Sequence, residues 1–560
     1  MDVTKHNYKK ITPELIENLS KATAVGIDLE MSGIKNDEST SENDTPMEHY
    51  IKTIVAATRY RIIQIGMALF IPVESSSSNE YRYETIVYNF YVFPHSYKEK
   101  ISQDIRLDTS TIDFLNKLGT IDFNKWITQG IPYSNEHYQQ KLKTVIYNNW
   151  LFQTVSNVKT GKNEPSVIQE QSILERVKAR IEDFTKWYRD TEAENDFELK
   201  ENKGFIHKYF LEQVFAEHPE IFENVLITDV KRKGDVDAHL LFSKKTPEEL
   251  KIHLDLIKKE LEDEYNDAIG FSYYWPQIKK VIRDNKIPVV LHNSFLDLLF
   301  IHSHFEKGLT RNMLEYKKHI HEHVFPLIYD TKAMAAEFQF GRLALSELWK
   351  ELGSSDRVKN KVAFFNKFHT EDEAFSYHNA AFDAYITGCA FLTMKHNMAS
   401  LEPYGNKVKL YGSGNFQMDL NNPTMDHVIS ESAYALFPKI KISVVEDKPN
   451  DKKGKDKKAD KEEKNNDKNE EKRKLFELVT SLNADGVIGD FRVSEHKIWN
   501  MLEMNKVLIL RCDKLLTEDM IKTLREDYDF FDMRSYYRLI LDAFESKVYS
   551  HKDVNKVFAR

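Results

Sequence analysis

Cysteine is nearly absent: the 560 residues hold only Cys389 and Cys512, neither near another in the chain. That excludes a disulfide framework and a thiolate zinc site, and it reads as a reducing compartment. Long apolar runs are also missing. None reaches the roughly 18 residues that a membrane span needs, and the opening MDVTKHNYKKITPELIENLS is too polar for a signal peptide. A soluble cytoplasmic protein is expected, with a nuclear one the alternative. Nor is there an excess of positive charge. A formal net charge of −9 excludes a globally basic nucleic-acid binder, because phosphate affinity comes from Lys and Arg, so any nucleic-acid site must be local. Residues 446–474, finally, contain no aromatic and no aliphatic side chain larger than that of Ala459. Such a stretch cannot bury enough apolar surface to fold and is expected to be a disordered, solvated loop.

What is present divides into parts. The length predicts two to four domains at about 150 residues each. An opening strand pattern at 24–33 is followed by the polar connection KNDESTSENDTPMEHYIKTIVAAT and by two strands rich in β-branched and aromatic residues, RYRIIQIGMALF and YETIVYNFYVFP. Around residue 166 the pattern changes to two amphipathic helices and a hairpin (VLITDV and DAHLLFS, joined at 231–235), and α/β patterning resumes after a long charged helix that starts at Thr246, Pro247 and Glu249. The expected organisation is a discontinuous α/β domain, 1–165 and 245–405, interrupted by a small α+β module at 166–244. A C-terminal α+β region covers 406–560, in which NFQMDL, a helical DHVISESAYALF and KIKISVV form a β-α-β unit.

The chemistry gathers on four acids. In AVGIDLEMSG (24–33) the buried strand carries Asp28 and Glu30 two residues apart, hence on one face. Asp297 lies in HNSFLDLLF and Asp383 in HNAAFDAY, both on apolar helices where a merely structural acid would be costly. Four carboxylates in one pocket repel one another; two divalent cations supply the compensating charge, and hard oxygen ligands select Mg²⁺ or Mn²⁺ over zinc. Two such ions about 4 Å apart serve phosphodiester cleavage. His378, five residues ahead of Asp383, offers an imidazole able to take a proton from water at neutral pH. Lys332, following PLIYDT, is a candidate partner for a substrate phosphate. Metal chemistry of this kind does not itself require a 2′-hydroxyl, so a DNA exonuclease remains a rival, as does a silent RNA-binding scaffold.

Eight segments in order, AVGIDLEMSGI, DTPMEHY, NFYVFP, STIDFL, DFNKWITQGIPY, VVLHNSFLDLLF, PLIYDTKAMA and HNAAFDAYITG, closely resemble the poly(A)-specific ribonucleases and their relatives, the pre-piRNA trimmers. These belong to the DEDD exonuclease superfamily, in the subclass with a catalytic histidine. The resemblance covers roughly residues 1–400. It implies an RNase H-like mixed sheet flanked by helices, and Mg²⁺-dependent 3′→5′ hydrolysis of single-stranded RNA that releases 5′-mononucleotides, with Mn²⁺ able to substitute. It assigns Asp28, Glu30, Asp297 and Asp383 as ligands of two metal ions and His378 as general base, and implies that Met31, Ile34, Asn293 and Lys332 line the RNA 3′ end and that the protein forms a homodimer. Met31 stands where the family commonly has Phe. The inserted module matches the family's single-stranded nucleic-acid-binding module in location; it keeps His207 but has Lys203 where the module's arginine would be. In the family's C-terminal RNA-recognition domain a strand tryptophan stacks on the mRNA cap, and Val444 takes that position here, with Trp499 the candidate to replace it from elsewhere. Trimming of small-RNA precursors such as pre-piRNAs is therefore expected ahead of mRNA deadenylation. A trimmer would reach its RNA through an Argonaute/Piwi-type carrier; the chain ends in the polar VNKVFAR and no membrane anchor is expected.

Overall fold

The computed structural model describes residues 1–74, 80–98, 100–147, 167–191, 195–200, 204–230, 239–338, 340, 344–366, 377–413, 416–422, 426–428, 432–438, 472–496 and 507–550. The chain forms two compact units, one of Met1–Pro94, Asp104–Asn135 and Tyr274–Arg560, the other of His95–Gln103 and Glu136–Tyr273.

In the first unit, strands β1 (Asp2–Val3), β2 (Ala24–Met31), β3 (Ile62–Val73) and β4 (Glu80–Tyr91) come early in the chain. Helices α1 (Tyr8–Leu19) and α2 (Pro46–Arg59) separate the first three strands. Residues 46–58 of the expected polar connection, with Arg59 of the expected strand, are this helix; it begins at a capping box in which Thr45 and Glu48 satisfy each other's main-chain N–H groups. The short helix α3 (Thr109–Leu118) follows, capped by the Asp108 side chain.

The second unit holds helices α4 (Glu136–Tyr147), α5 (Gln171–Arg189), α6 (Gly204–Glu217) and α7 (Pro247–Ile269), with strands β5 (Phe197–Leu199), β6 (Val225–Val230) and β7 (His239–Lys244). The strands form an antiparallel sheet in the order β5-β7-β6, whose Phe242 packs on Phe184 and Phe210 of the helices. This unit is wider than the expected 166–244, because α4 and α7 pack together through Leu142, Ile146, Leu261 and Ile269. His207 is buried in it. Lys203 and the hairpin turn at 231–235 lie outside the described residues.

The chain then returns to the first unit through β8 (Val289–Leu291), α8 (Phe295–Phe305), β9 (Ile328–Asp330), β10 (Lys361–Asn366) and α9 (Ala380–Lys395). The sheet runs β4-β3-β2-β8-β9, with β1 and β10 added on β4. Pairs β2·β3 and β3·β4 are antiparallel while β2·β8 and β8·β9 are parallel, so β3 alone runs against its neighbours in this five-strand run. That is the RNase H-like mixed order the resemblance implies. Helix α9 lies across β2 and β3 where both lack a side chain. A Cβ on Gly26 would overlap the Ala384 carbonyl, and one on Gly66 the Ala380 carbonyl.

Beyond α9, a small antiparallel sheet is made of β11 (Lys407–Lys409), β12 (Phe416–Asp419) and β13 (His427–Val428). Four further strands, β14 (Ala433–Pro438), β15 (Phe491–His496), β16 (Val507–Cys512) and β17 (Tyr528–Asp532), form a sheet in the order β15-β16-β14-β17. Helices α10 (472–482), α11 (Glu518–Asp527) and α12 (Met533–Ser550) accompany it. The described residues of DHVISESAYALF are thus not helical: 433–436 alternate Ala and large apolar residues, Tyr434 and Leu436 facing one side and Ala433 and Ala435 the other, a strand buried on both faces. Residues 439–471, with most of the expected loop, lie outside the described residues, as do Val444 and Trp499, and 472–474 already belong to α10.

Replacing Gly66 by Ala forces a Cβ into main-chain atoms that cannot swing aside, an overpacking that destabilises by about 1–3 kcal/mol. The expected outcome is a lowered urea midpoint relative to the parent; an unchanged midpoint would mean that α9 is not held against β3 as described.

Candidate active site

Period-two alternation puts Asp28 and Glu30 on one side of β2 and Leu29 and Met31 on the other. Their strand is central, paired on both sides, so its register is fixed. Opposite the step from Glu30 to Met31, β3 carries one extra residue, Ile63, a bulge at the strand's end. Asp297 enters from the first turn of α8 and Asp383 from the first turn of α9. Two turns preceding these helices need left-handed backbone, with φ of +57° at Asn293 and +66° at His378, conformations that cost non-glycine residues about 1–3 kcal/mol. The His378 turn lets its main-chain N–H donate to Asp383 Oδ2 at 2.9 Å.

Burial first, then mutual repulsion, shapes the electrostatics. Asp28 is held far above the usual carboxylate range by burial and by Asp383, Asp297 and Glu30. Glu30 is pushed up to about 8 by burial and by Asp383 and Asp297. Asp297 also rises to about 8, chiefly through burial, although an N–H of Leu29 lowers it. Asp383 rises to about 6 through burial, opposed by the His378 N–H. Ligand atoms of Glu30, His378 and Asp383 lie within 4.8 Å of one another. Asp383 Oδ1 is buried and, among the described residues, has no hydrogen-bond partner. An all-carboxylate donor set with an orphaned buried oxygen suits a hard divalent cation such as Mg²⁺ or Mn²⁺.

His378 is exposed, and burial of part of its ring lowers its pKa below the usual histidine value. Phe114 of α3 packs edge-on against it at 4.8 Å between ring centres. Among the residues expected at the RNA 3′ end, Ile34 is 53% exposed and Asn293 and Lys332 are half-buried. Met31 is only 7% exposed, on the Leu29 side of the strand, which follows from the same alternation that groups the acids.

Two residues that shape the site were not singled out in the sequence. Asp330, at the end of β9, is fully buried and accepts from the N–H groups of Asn293, Ser294, Lys332 and Lys409 and from the Ser294 hydroxyl, all at 2.9–3.0 Å. It thereby shapes the turn from which α8 delivers Asp297. The cue was available: an Asp closing a short strand before a helix start is a capping pattern. Gln64, paired opposite Glu30, accepts from the Ala380 N–H at the start of α9; a lone Gln on a strand carries no such cue.

Because Glu30, Asp297 and Asp383 bind protons more tightly when folded, the metal-free chain loses stability as pH rises from about 4 toward 8. Added Mg²⁺ should raise the melting temperature at pH 8 and leave it unmoved at pH 5, and Asp297→Asn should diminish both the pH slope and the Mg²⁺ response. A metal-free melting curve independent of pH would show that the acids are not coupled.

A CAF1 family ribonuclease model matches residues 3–391. The poly(A)-specific ribonuclease PARN of Xenopus laevis is 28% identical over 420 residues, 71% of this chain and 63% of that protein, so the chain spans less than two thirds of this relative. The pre-piRNA 3′-exonuclease trimmer of Bombyx mori is 27% identical over 468 residues, 76% of this chain and 82% of the relative. Among solved structures, Pop2p of S. pombe in its Mg²⁺- and Mn²⁺-bound form aligns with 73% of the chain and 98% of its own, at 14% identity and a TM-score of 0.34. With the family model spanning both arms of the discontinuous sheet and all four acids, the chain belongs to the CAF1 family of ribonucleases.

Proposed function

We propose that this protein is a 3′→5′ exoribonuclease that trims RNA 3′ ends and releases 5′-mononucleotides. The observation that carries this reading is the convergence of Asp28, Glu30, Asp297 and Asp383 at the end of β2, with a histidine whose ring reaches the same group. The four carboxylates would hold two Mg²⁺ ions, or Mn²⁺, which when bound would supply neutralising charge to the scissile phosphate. His378 takes the proton of the attacking water; partial burial lowers its pKa and so favours the unprotonated ring that can accept it. The water oxygen bonds to phosphorus, the bond to the preceding 3′-oxygen breaks, that oxygen takes a proton from solvent, and a shortened RNA with a free 3′-hydroxyl remains. Ile34 gives the terminal nucleotide an apolar contact, and Asn293 and Lys332 contact its sugar-phosphate.

Small-RNA precursors are the favoured substrate within this proposal. Supporting it, the Bombyx relative carries the trimmer name and is matched over most of its length, and Val444 stands where a cap-stacking tryptophan is found in poly(A)-specific ribonucleases. Deadenylation of mRNA or non-coding RNA is the second reading, favoured by the name of the Xenopus relative. A Piwi-type carrier for the RNA, a homodimer and a cytoplasmic site of action complete the proposal.

Asp28→Ala should abolish Mg²⁺-dependent degradation of a single-stranded RNA; digestion at the parent's rate would remove the metal site from the mechanism. His378→Ala should lower kcat about 10²-fold or more, the usual contribution of a general base, with the RNA dissociation constant nearly unchanged. It should also flatten the acidic limb of the kcat–pH profile, which in the parent falls below the ordinary histidine pKa; an unaltered profile would assign the proton elsewhere. Sequencing RNA 3′ ends in cells lacking the protein separates the substrates: extended small RNAs support trimming, and lengthened poly(A) tails with unaltered small RNAs support deadenylation.

A further inference from the structure

The four C-terminal strands with α10 and α11 follow the order βαββαβ, one face of the sheet lying under its own helices. In RNA-recognition folds built on a four-stranded sheet, aromatic side chains on the sheet stack the bases. Here Tyr434, Leu436, Leu508 and Leu510 face the helices. The opposite face of the two central strands presents, among the described side chains, Ala433, Ala435, Val507, Ile509 and Arg511, none of which is aromatic. Ala433, Ala435, Val507 and Ile509 are fully buried, so the centre of this face is already covered, while Phe531 of β17, paired with Ala435 on the same face, is half-buried.

The chain's own residues 42–48 interact with it. Glu42 pairs with Arg511 at 2.8 Å and with Arg492 at 2.9 Å. Asn43 donates to the Ser494 hydroxyl and accepts from Arg511. His496 meets Glu48 at 3.3 Å, the two side chains 2% and 1% exposed. Arg492, Ser494 and His496 alternate along β15 and so share the covered face with Arg511. An acidic run thus stands where a phosphate chain would have to lie, and RNA could reach Arg511 only by displacing it. Asp44, Glu48 and His496 bring ligand atoms within 4.8 Å of one another, but Lys52 occupies Asp44 and Thr45 occupies Glu48, which leaves a protein-filled cluster.

The covered segment is continuous with the site. It is the run from β2, which carries Asp28 and Glu30, into α2. Helix α2 in turn packs on α8, which carries Asp297, with His49 against Phe295 at 5.5 Å, and the Tyr50 hydroxyl donates to the Thr310 carbonyl at 2.7 Å. Three of the four carboxylates therefore sit on elements attached to it.

We propose that the C-terminal domain is an intramolecular clamp on the exonuclease site: the β15 and β16 part of its outer sheet face is committed to Glu42–Glu48, and Arg511 and His496 are positioning residues for the catalytic strand. For its activity readout the inference rests on the exonuclease reading. In the full-length chain, Arg511→Glu should lower kcat about tenfold, as small misplacements of catalytic groups do. It should hold KM for RNA within about twofold, raise the Mg²⁺ concentration giving half-maximal rate, and speed amide exchange across 42–48. Combining it with Glu42→Arg should restore all four quantities toward the parent. An RNA-reading face would instead show KM raised at constant kcat and no restoration by Glu42→Arg, which overturns the clamp; so does an Arg511→Glu chain identical to the parent. If that variant does not fold, His496→Gln, which keeps a donor for Glu48, should retain the parent's rate where His496→Ala loses it, and equal behaviour of the two overturns the assignment. A parent chain inert toward RNA would defeat the exonuclease reading alone, since the exchange measurement still tests the clamp.

Discussion

Helix α9 can lie on β2 and β3 only because Gly26 and Gly66 carry no side chain, and the rest of the site follows from that contact. It places the first turn of α9 beside the end of β2, so that Asp383 arrives where Asp28 and Glu30 already share a face. The apolar surroundings that hold the helix down also strip water from the acids, and their proton affinities climb together. Packing thereby creates a concentration of negative charge that water cannot relieve and a hard cation can.

The nuclease half was legible because its signals are local. Asp28 and Glu30 two apart on a β-branched run specify a shared face before any partner is known, and apolar flanks around Asp297 and Asp383 make a structural role costly. The resemblance carried the same four acids into one fold. Other features depend on partners distant in sequence. Residues 433–436 looked helical because a strand buried on both faces lacks the polar alternation that marks a half-exposed one. The wider second unit depends on α4 meeting α7 across more than a hundred residues, which no window of sequence contains. Met31 illustrates the converse: a family position suggested contact with RNA, while simple alternation along β2 already pointed it away from the acids.

Asp330 and Asp383 show how one residue type takes two roles. Both are buried, but Asp330 has its two oxygens filled by five donors of the protein, whereas Asp383 receives one N–H and keeps Oδ1 without a described partner. The count of donors, more than the presence of the carboxylate, separates a scaffolding acid from one open to a cation. The same accounting applies to the buried Asp426, where Lys317 at 2.7 Å and the Tyr537 hydroxyl at 2.5 Å occupy the carboxylate.

The extra residue Ile63, opposite the step from Glu30 to Met31, bears on how this sequence can change over time. A central strand carrying its acids with period two has no tolerance for a single insertion or deletion ahead of Asp28, which would exchange the acidic set for Ile27 and Leu29. The bulge absorbs such a phase difference on the neighbouring strand, after the last acid rather than before it. Length variation in this part of the chain should therefore be confined to the Ser32–Ser41 part of the connection and the stretch leading into β3, with the spacing from Ala24 to Glu30 held constant among relatives that keep the activity.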